Sequence, residues 1–209
     1  MSNDVRAPAP QELTVIDVQE APEIATTERL QIVLLSRRLA DTFARYQDRN
    51  RAHFKLSAPS VPEGADLITW ADRVAAQSER EWVEDRSVRV LILAPDNSSQ
   101  KAILGHIAFT QIARGPFQAC YLGFGLDERE VGRGLMKEAL EHAIRFMFDK
   151  KGLHRIMANY MPSNERSART LKSLGFVAEG YARDYLFLDG SWRDHVLTSR
   201  TNPAFVSIK

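Results

Sequence analysis

The stretch Arg129-Glu130-Val131-Gly132-Arg133-Gly134-Leu135-Met136 decides the reading of this chain. It follows an apolar run, QACYLGFGLD (118–127), and opens a strongly amphipathic one. Met136, Leu140, Ile144 and Met147 fall on one helical face, with Leu135, Ala139 and Ala143 beside them. Two glycines in a strand-to-helix turn let backbone N–H groups approach a bound group, and the helix N-terminus adds partial positive charge. The turn is therefore a candidate phosphate or pyrophosphate cradle. Residues 129–172 carry ten Lys/Arg against five Asp/Glu, whereas the whole chain has a formal net charge of only +1. The basic excess sits where a polyanion would dock.

Working outward, VRVLILA (88–94), ILGHIAFTQI (103–112) and QACYLGFGLD (118–127) are short apolar runs separated by turn formers. They predict an antiparallel meander. LHRIMANYM (153–161), reached across the helix, predicts a strand parallel to 118–127. A shorter helix over about 164–174 ends at Gly175-Phe176, and strands near 177–187 and 191–200 flank the hairpin signal Asp189-Gly190. Upstream, LTVIDVQE (13–20) and RLQIVLLS (29–36) read as strands separated by a loop with Pro22. A helix capped by Ser36 runs through Leu39, Phe43 and Tyr46, residues 53–65 form a loop, and a second helix runs to about Asp85. The fold class expected is α+β: a mixed central sheet of about seven strands with helices on both faces.

Composition excludes several classes. One cysteine, Cys120, in 209 residues excludes an internal disulfide framework and a cysteine-built zinc site. His53, His106, His142, His154 and His195 lack ligand spacing, so no metal is expected. No apolar run reaches the roughly 20 residues of a membrane helix. The N-terminus lacks a signal-peptide core, so the expected location is cytoplasmic. Near-neutral charge argues against specific DNA as a partner. The Gly-x-Gly lacks the Gly-Lys-Ser/Thr end of a nucleotide loop, and no Gly-x-Ser-x-Gly elbow supports a hydrolase.

The run from Arg129 to Phe176 resembles the cofactor core of the GNAT acetyltransferase superfamily. HRIMANYMPSNERSARTLKSLGFVAEGYARDYLFLDGSWRDHVLTS (154–199), RGPFQACYLGFGLDEREVGRGLMKEAL (114–140) and TERL (27–30) are similar to the bacterial ribosomal-protein-alanine N-acetyltransferases of the RimJ type. The likeness implies a GNAT domain over 26–203, preceded by a partly disordered extension, 1–25. It implies acetyl-CoA as donor and a protein N-terminus, Ala- or Ser-first, of a ribosomal protein as acceptor, with contact to pre-ribosomal particles. The rivals are another amine as acceptor, small molecule or protein, and an assembly factor in which acetylation is secondary.

The resemblance also implies roles. Strands 118–127 and 153–161 would splay to admit the pantetheine arm. Backbone N–H groups at Gly125 and Leu126 would bind the acetyl carbonyl. Arg129, Gly132, Arg133, Gly134 and Leu135 would cradle the pyrophosphate, and Asn164 would contact the pantetheine. Superfamily members often carry a tyrosine seven residues after that asparagine; here Leu171 stands there. Ser167, three residues after it, matches relatives of the RimL type that give a serine the role of protonating the leaving thiolate. Their carboxylate base falls on Leu186. Glu179, Asp184 and His106 are the substitutes for the base, with an ordered water chain as the alternative. Tyr160, Tyr181 and Tyr185 are candidates for the acceptor groove.

Overall fold

The computed structural model describes residues 22–55, 61–62, 64–95 and 102–205. The expected strand at 13–20 lies outside them. Among the described residues one sheet of eight strands runs in the order β1-β2-β3-β4-β5-β6-β8-β7. The strands are β1 (Glu23–Thr26), β2 (Gln31–Leu34), β3 (Val88–Leu93), β4 (Ile103–Ala113), β5 (Ala119–Leu126), β6 (Arg155–Tyr160), β7 (Val177–Leu188) and β8 (Ser191–Thr201). The helices are α1 (Ala40–Arg49), α2 (Arg51–Phe54), α3 (Leu67–Val83), α4 (Leu135–Asp149) and α5 (Glu165–Ser173).

Strand β3 shows how two layers of helix are served by one sheet. Its run VRVLIL is buried on both faces, as a central strand sandwiched by helices must be. Val90 and Ile92 join the core with α4, including Leu140, Ile144 and Met147. Leu91 and Leu93 turn the other way, to Phe43, Ala44 and Tyr46 of α1 and Ala71 and Ala75 of α3. The periodicity of α4 is satisfied in full: Leu135, Met136, Ala139, Leu140, Ala143, Ile144, Met147 and Phe148 are all buried.

The meander β3-β4-β5 is antiparallel, and β5 pairs parallel with β6, as the order of elements requires. Helix α5 closes on a left-handed Gly175 (φ +79°), with Phe176 N–H donating to the Leu171 carbonyl and Gly175 N–H to that of Lys172. Asp189 and Gly190 both have positive φ, the geometry of a tight two-residue hairpin.

Three expectations are corrected. Glu23–Thr26, read as loop, forms β1 and pairs with β2, so the sheet begins inside the 1–25 segment. Ser36 makes no capping bond; a short 3-10 turn (Arg37–Leu39) precedes α1 instead. His53 and Phe54, read as loop, end the short helix α2.

Candidate active site

The parallel ladder between β5 and β6 stops early. Its partners are Ala119–Arg155, Cys120–Ile156 and Tyr121–Met157, yet the strands continue to Leu126 and Tyr160. Beyond Tyr121 the two strands part, leaving β5 backbone without a parallel neighbour. A cavity of about 590 Å³ lies beside this opening. Gly125, Leu126, Gly132, Gly134 and Leu135 line one side of it, Asn164 and Ser167 the other. Seven of the nine cofactor positions expected from the sequence thus meet around one space. His53 and Phe54 of α2 close it from the opposite helical layer.

The turn is built for close approach. Gly132 (φ +88°) and Gly134 (φ +75°) are left-handed, and a Cβ on either would meet nothing within 4 Å. Backbone conformation, not crowding, selects glycine there. Gly134 is the N-cap of α4 and supplies no side chain, so the first amides of a 15-residue helix are left for a ligand. Lys137, Arg166 and Arg169 also line the cavity and set its sign positive.

Two long-range clamps fix this turn. At its start, Asp127 accepts from Arg49 Nε at 2.7 Å, from Asn50 Nδ2 at 3.3 Å and from the Arg129 amide at 3.1 Å. At its end, Arg29 Nε donates to Glu138 Oε2 at 2.9 Å and Arg29 Nη1 to the Arg133 carbonyl at 3.2 Å. Thr27 Oγ1 donates to Glu138 Oε1 at 2.6 Å. The TERL stretch therefore serves the turn from more than 100 residues away.

Gly125 is glycine for a different reason. A Cβ there would stand 2.5 Å from His106 Cε1 and 3.0 Å from Phe54 Cε1. The imidazole thus lies directly on the β5 backbone. Tyr46 Oη is 2.9 Å from His106 Nδ1 and donates to the Gly125 carbonyl at 3.3 Å. Burial holds the Tyr46 phenol above its usual range and pushes His106 down to about 4.

Other expected residues lie elsewhere. Arg129 and Arg133 are exposed and do not line the cavity; Arg133 is ion-paired with Glu130. Glu179 lies outside the cavity lining, in an ion pair with Arg155. Arg155 Nη1 donates to both its oxygens at 2.7 and 2.9 Å and Ser199 Oγ to one at 2.7 Å. The hydrogen bonds from Arg155 and then Ser199 hold its carboxyl below the usual range. Asp184 sits in a β7 irregularity with φ +48°, outside the cavity lining, where its amide donates to Asp194 Oδ1 at 2.9 Å. Tyr181 donates to Asp194 Oδ2 at 2.7 Å and Tyr185 accepts from Asn159 Nδ2 at 2.9 Å; neither lines the cavity.

Asn164 spends its carbonyl on its own helix, Oδ1 accepting from the Ser167 amide at 3.1 Å, which turns the cap residue towards the cavity. Leu171, where the tyrosine of many relatives would stand, is buried in the core. Cys120 is fully buried, and burial drives its thiol up to about 12, so it is no nucleophile at neutral pH. Among the described residues no group of three or more His, Cys, Asp or Glu is placed to hold a metal ion, and no helix is long and apolar enough to cross a membrane.

A sheet splayed between parallel strands, with a glycine turn at a helix N-terminus beside the split, offers a gap for an extended group and a cradle for an anion, the site of a cofactor-binding enzyme. The chain belongs to the acetyltransferase (GNAT) domain family, which matches residues 29–177. It is 42% identical over 179 residues to the [ribosomal protein uS5]-alanine N-acetyltransferase of Escherichia coli, spanning 85% of this chain and 90% of that one. The ribosomal-protein-S5-alanine acetyltransferase of Vibrio fischeri superposes with a TM-score of 0.81 at 32% identity, covering 89% of this chain and 100% of that one. RimJ of Mycobacterium smegmatis, solved with a CoA disulfide, shares the fold at 24% identity, with a TM-score of 0.74 over 82% of this chain and 81% of its own. The protein is an acetyl-transferring enzyme, and acetyl-CoA is its donor.

Proposed function

We propose that this enzyme acetylates the N-terminal alanine of ribosomal protein uS5. The observation that carries the reading is the 42% identity to the E. coli enzyme, which extends over 90% of that enzyme's length. The pre-ribosomal particle that carries this protein is the larger partner, and the cytoplasm is the place of encounter.

The residues divide the work as follows. Amides at Gly132, Gly134 and Leu135 take the donor's diphosphate, with Arg129 and Arg133 adding long-range attraction from the rim. Asn164 holds the pantetheine arm in the gap between β5 and β6. The amides of Gly125 and Leu126 draw charge onto the acetyl carbonyl oxygen, which is where negative charge develops during attack. Ser167 Oγ, which makes no hydrogen bond among the described residues, delivers a proton to the leaving thiolate.

An α-amino group has a pKa near 8, so a useful fraction is already neutral at physiological pH, and binding in line with the thioester supplies much of the rate. Mass spectrometry of an acceptor panel tests the reading: Ala-first and Ser-first ribosomal peptides, a peptide with a blocked N-terminus and internal lysine, and a polyamine. Turnover confined to the free Ala- or Ser-first N-termini is expected. Turnover of the polyamine or the lysine with none of the N-termini overturns the substrate and leaves the acetyltransferase.

A further inference from the structure

Tyr46, His106 and Gly125 come from three elements, and their contacts determine where the imidazole proton sits. Tyr46 Oη touches both His106 Nδ1 (2.9 Å) and the Gly125 carbonyl (3.3 Å). The phenol has one proton, and a carbonyl only accepts, so the phenol proton goes to Gly125. His106 must then donate Nδ1–H to the phenol oxygen. This tautomer leaves a lone pair on Nε2.

That nitrogen has no hydrogen-bond partner among the described residues. The residue as a whole keeps part of its surface exposed. The ring is wedged edge-to-face between Phe54, at 5.4 Å, and Tyr46, at 5.8 Å, and rests on Gly125, which lines the cavity. A neutral imidazole with one nitrogen held by Tyr46 and the other without a partner therefore lies against Gly125, on the cavity's wall. The carboxylate that follows β5, Asp127, is committed to Arg49 and Asn50.

We propose that His106 Nε2 takes the proton of the acceptor amine as that amine attacks the acetyl thioester. The amine nitrogen bonds to the carbonyl carbon, the carbon–sulfur bond breaks, and the amine proton passes to Nε2. The thiolate takes its proton from Ser167 Oγ, whose oxygen recovers one from solvent, while the imidazolium returns its proton to solvent. The products are an amide and a free thiol. Tyr46 is a positioning residue that fixes the tautomer. The proposal rests on acetyl transfer itself and holds for whichever amine is turned over.

The test compares His106→Asn, His106→Ala and Tyr46→Phe with the wild type on the best acceptor of the panel, while acetyl-CoA binding and thermal melting report folding. Asparagine keeps an amide N–H for Tyr46 but cannot take a proton. Both His106 variants are expected to lose about 100-fold or more in kcat with acetyl-CoA affinity retained. Added imidazole should restore His106→Ala in proportion to its concentration, and more basic imidazoles should do so more strongly. Wild-type kcat in His106→Asn, or a loss that imidazole does not repair, overturns the proposal. So does a result in which His53→Asn carries the loss instead. If the His106 variants fail to bind acetyl-CoA, Tyr46→Phe decides. It keeps the ring packing, and a kcat lower by roughly tenfold with KM unchanged is expected; unchanged kcat contradicts the proposal. A wild type active only on a non-ribosomal amine would sink the uS5 reading while leaving His106 measurable on that amine.

Discussion

Arg49, in the last turn of α1, donates to Asp127 at 2.7 Å, where β5 hands over to the glycine turn. One ion pair thus joins α1 to the start of the glycine turn. Asp127 is 4% exposed and Asn50 1%, so the clamp is largely withdrawn from water. Burial raises the Asp127 carboxyl, but the Arg129 amide, Arg49 and Asn50 together outweigh it and hold the group ionised below its usual range. Asp127→Asn strands the Arg49 charge and should cost about 2 kcal/mol, less than a fully buried pair because Arg49 is a third exposed. Thermal unfolding reads the stability, and a weaker acetyl-CoA Kd reads the loosened turn.

Glu81, on α3, gives a pH dependence with a definite sign. Burial raises its carboxyl, yet hydrogen bonds from Ser87, Gln77 and Arg89 overcome this and bring it down to about 2 from 4.5. A depressed folded-state pKa contributes stability that is fully present above the unfolded value and is lost as pH falls through the folded one. Denaturant melts should therefore lose about 3 kcal/mol between pH 5 and pH 2 through this group, and Glu81→Gln should flatten that part of the curve.

The glycines of the site should separate by mechanism. Gly125→Ala drives a Cβ into His106 and Phe54, and should lower kcat roughly tenfold by displacing the imidazole. Gly123→Ala, two residues back, meets nothing within 4 Å and should leave kcat close to wild type. Gly134→Ala meets nothing either but must hold φ +75°, so it should cost about 1 kcal/mol and weaken acetyl-CoA binding without a selective fall in kcat. Steady-state kinetics with calorimetry distinguishes the three.

Ser167→Ala should lower kcat by about 100-fold while acetyl-CoA affinity stays near wild type, because the substitution removes only the proposed proton donor to the thiolate and the backbone amide still bonds Asn164. Single-turnover rates against equilibrium binding provide the check.

The reach of the sequence follows the range of each interaction. Helix α4, the Asn164 cap, the Gly175 stop and the Asp189-Gly190 hairpin are written within one or two turns of chain, and they read correctly. β1 did not, because Glu23–Thr26 is a four-residue, half-exposed edge strand without alternation; its partner β2 makes it a strand. The Gly-x-Gly turn announced itself, but its supports did not. Arg29 meets Glu138 across 109 positions, and Arg49 meets Asp127 across 78. Glu179 looked like a spare carboxylate only while Arg155, 24 residues upstream, was invisible as its partner. His106 was one of several candidates in the sequence; its lock to Tyr46, 60 residues away, is a product of the fold.

The position of the acetyl group on a peptide decides between an α-amino and a side-chain acceptor. A uS5 N-terminal peptide beginning with alanine and carrying an internal lysine is incubated with the enzyme and acetyl-CoA, and fragment-ion mass spectrometry maps the acetyl group. A single acetyl on the alanine α-nitrogen is expected. An acetyl on the lysine side chain, or an unmodified peptide beside an enzyme that still binds acetyl-CoA, contradicts the uS5 reading.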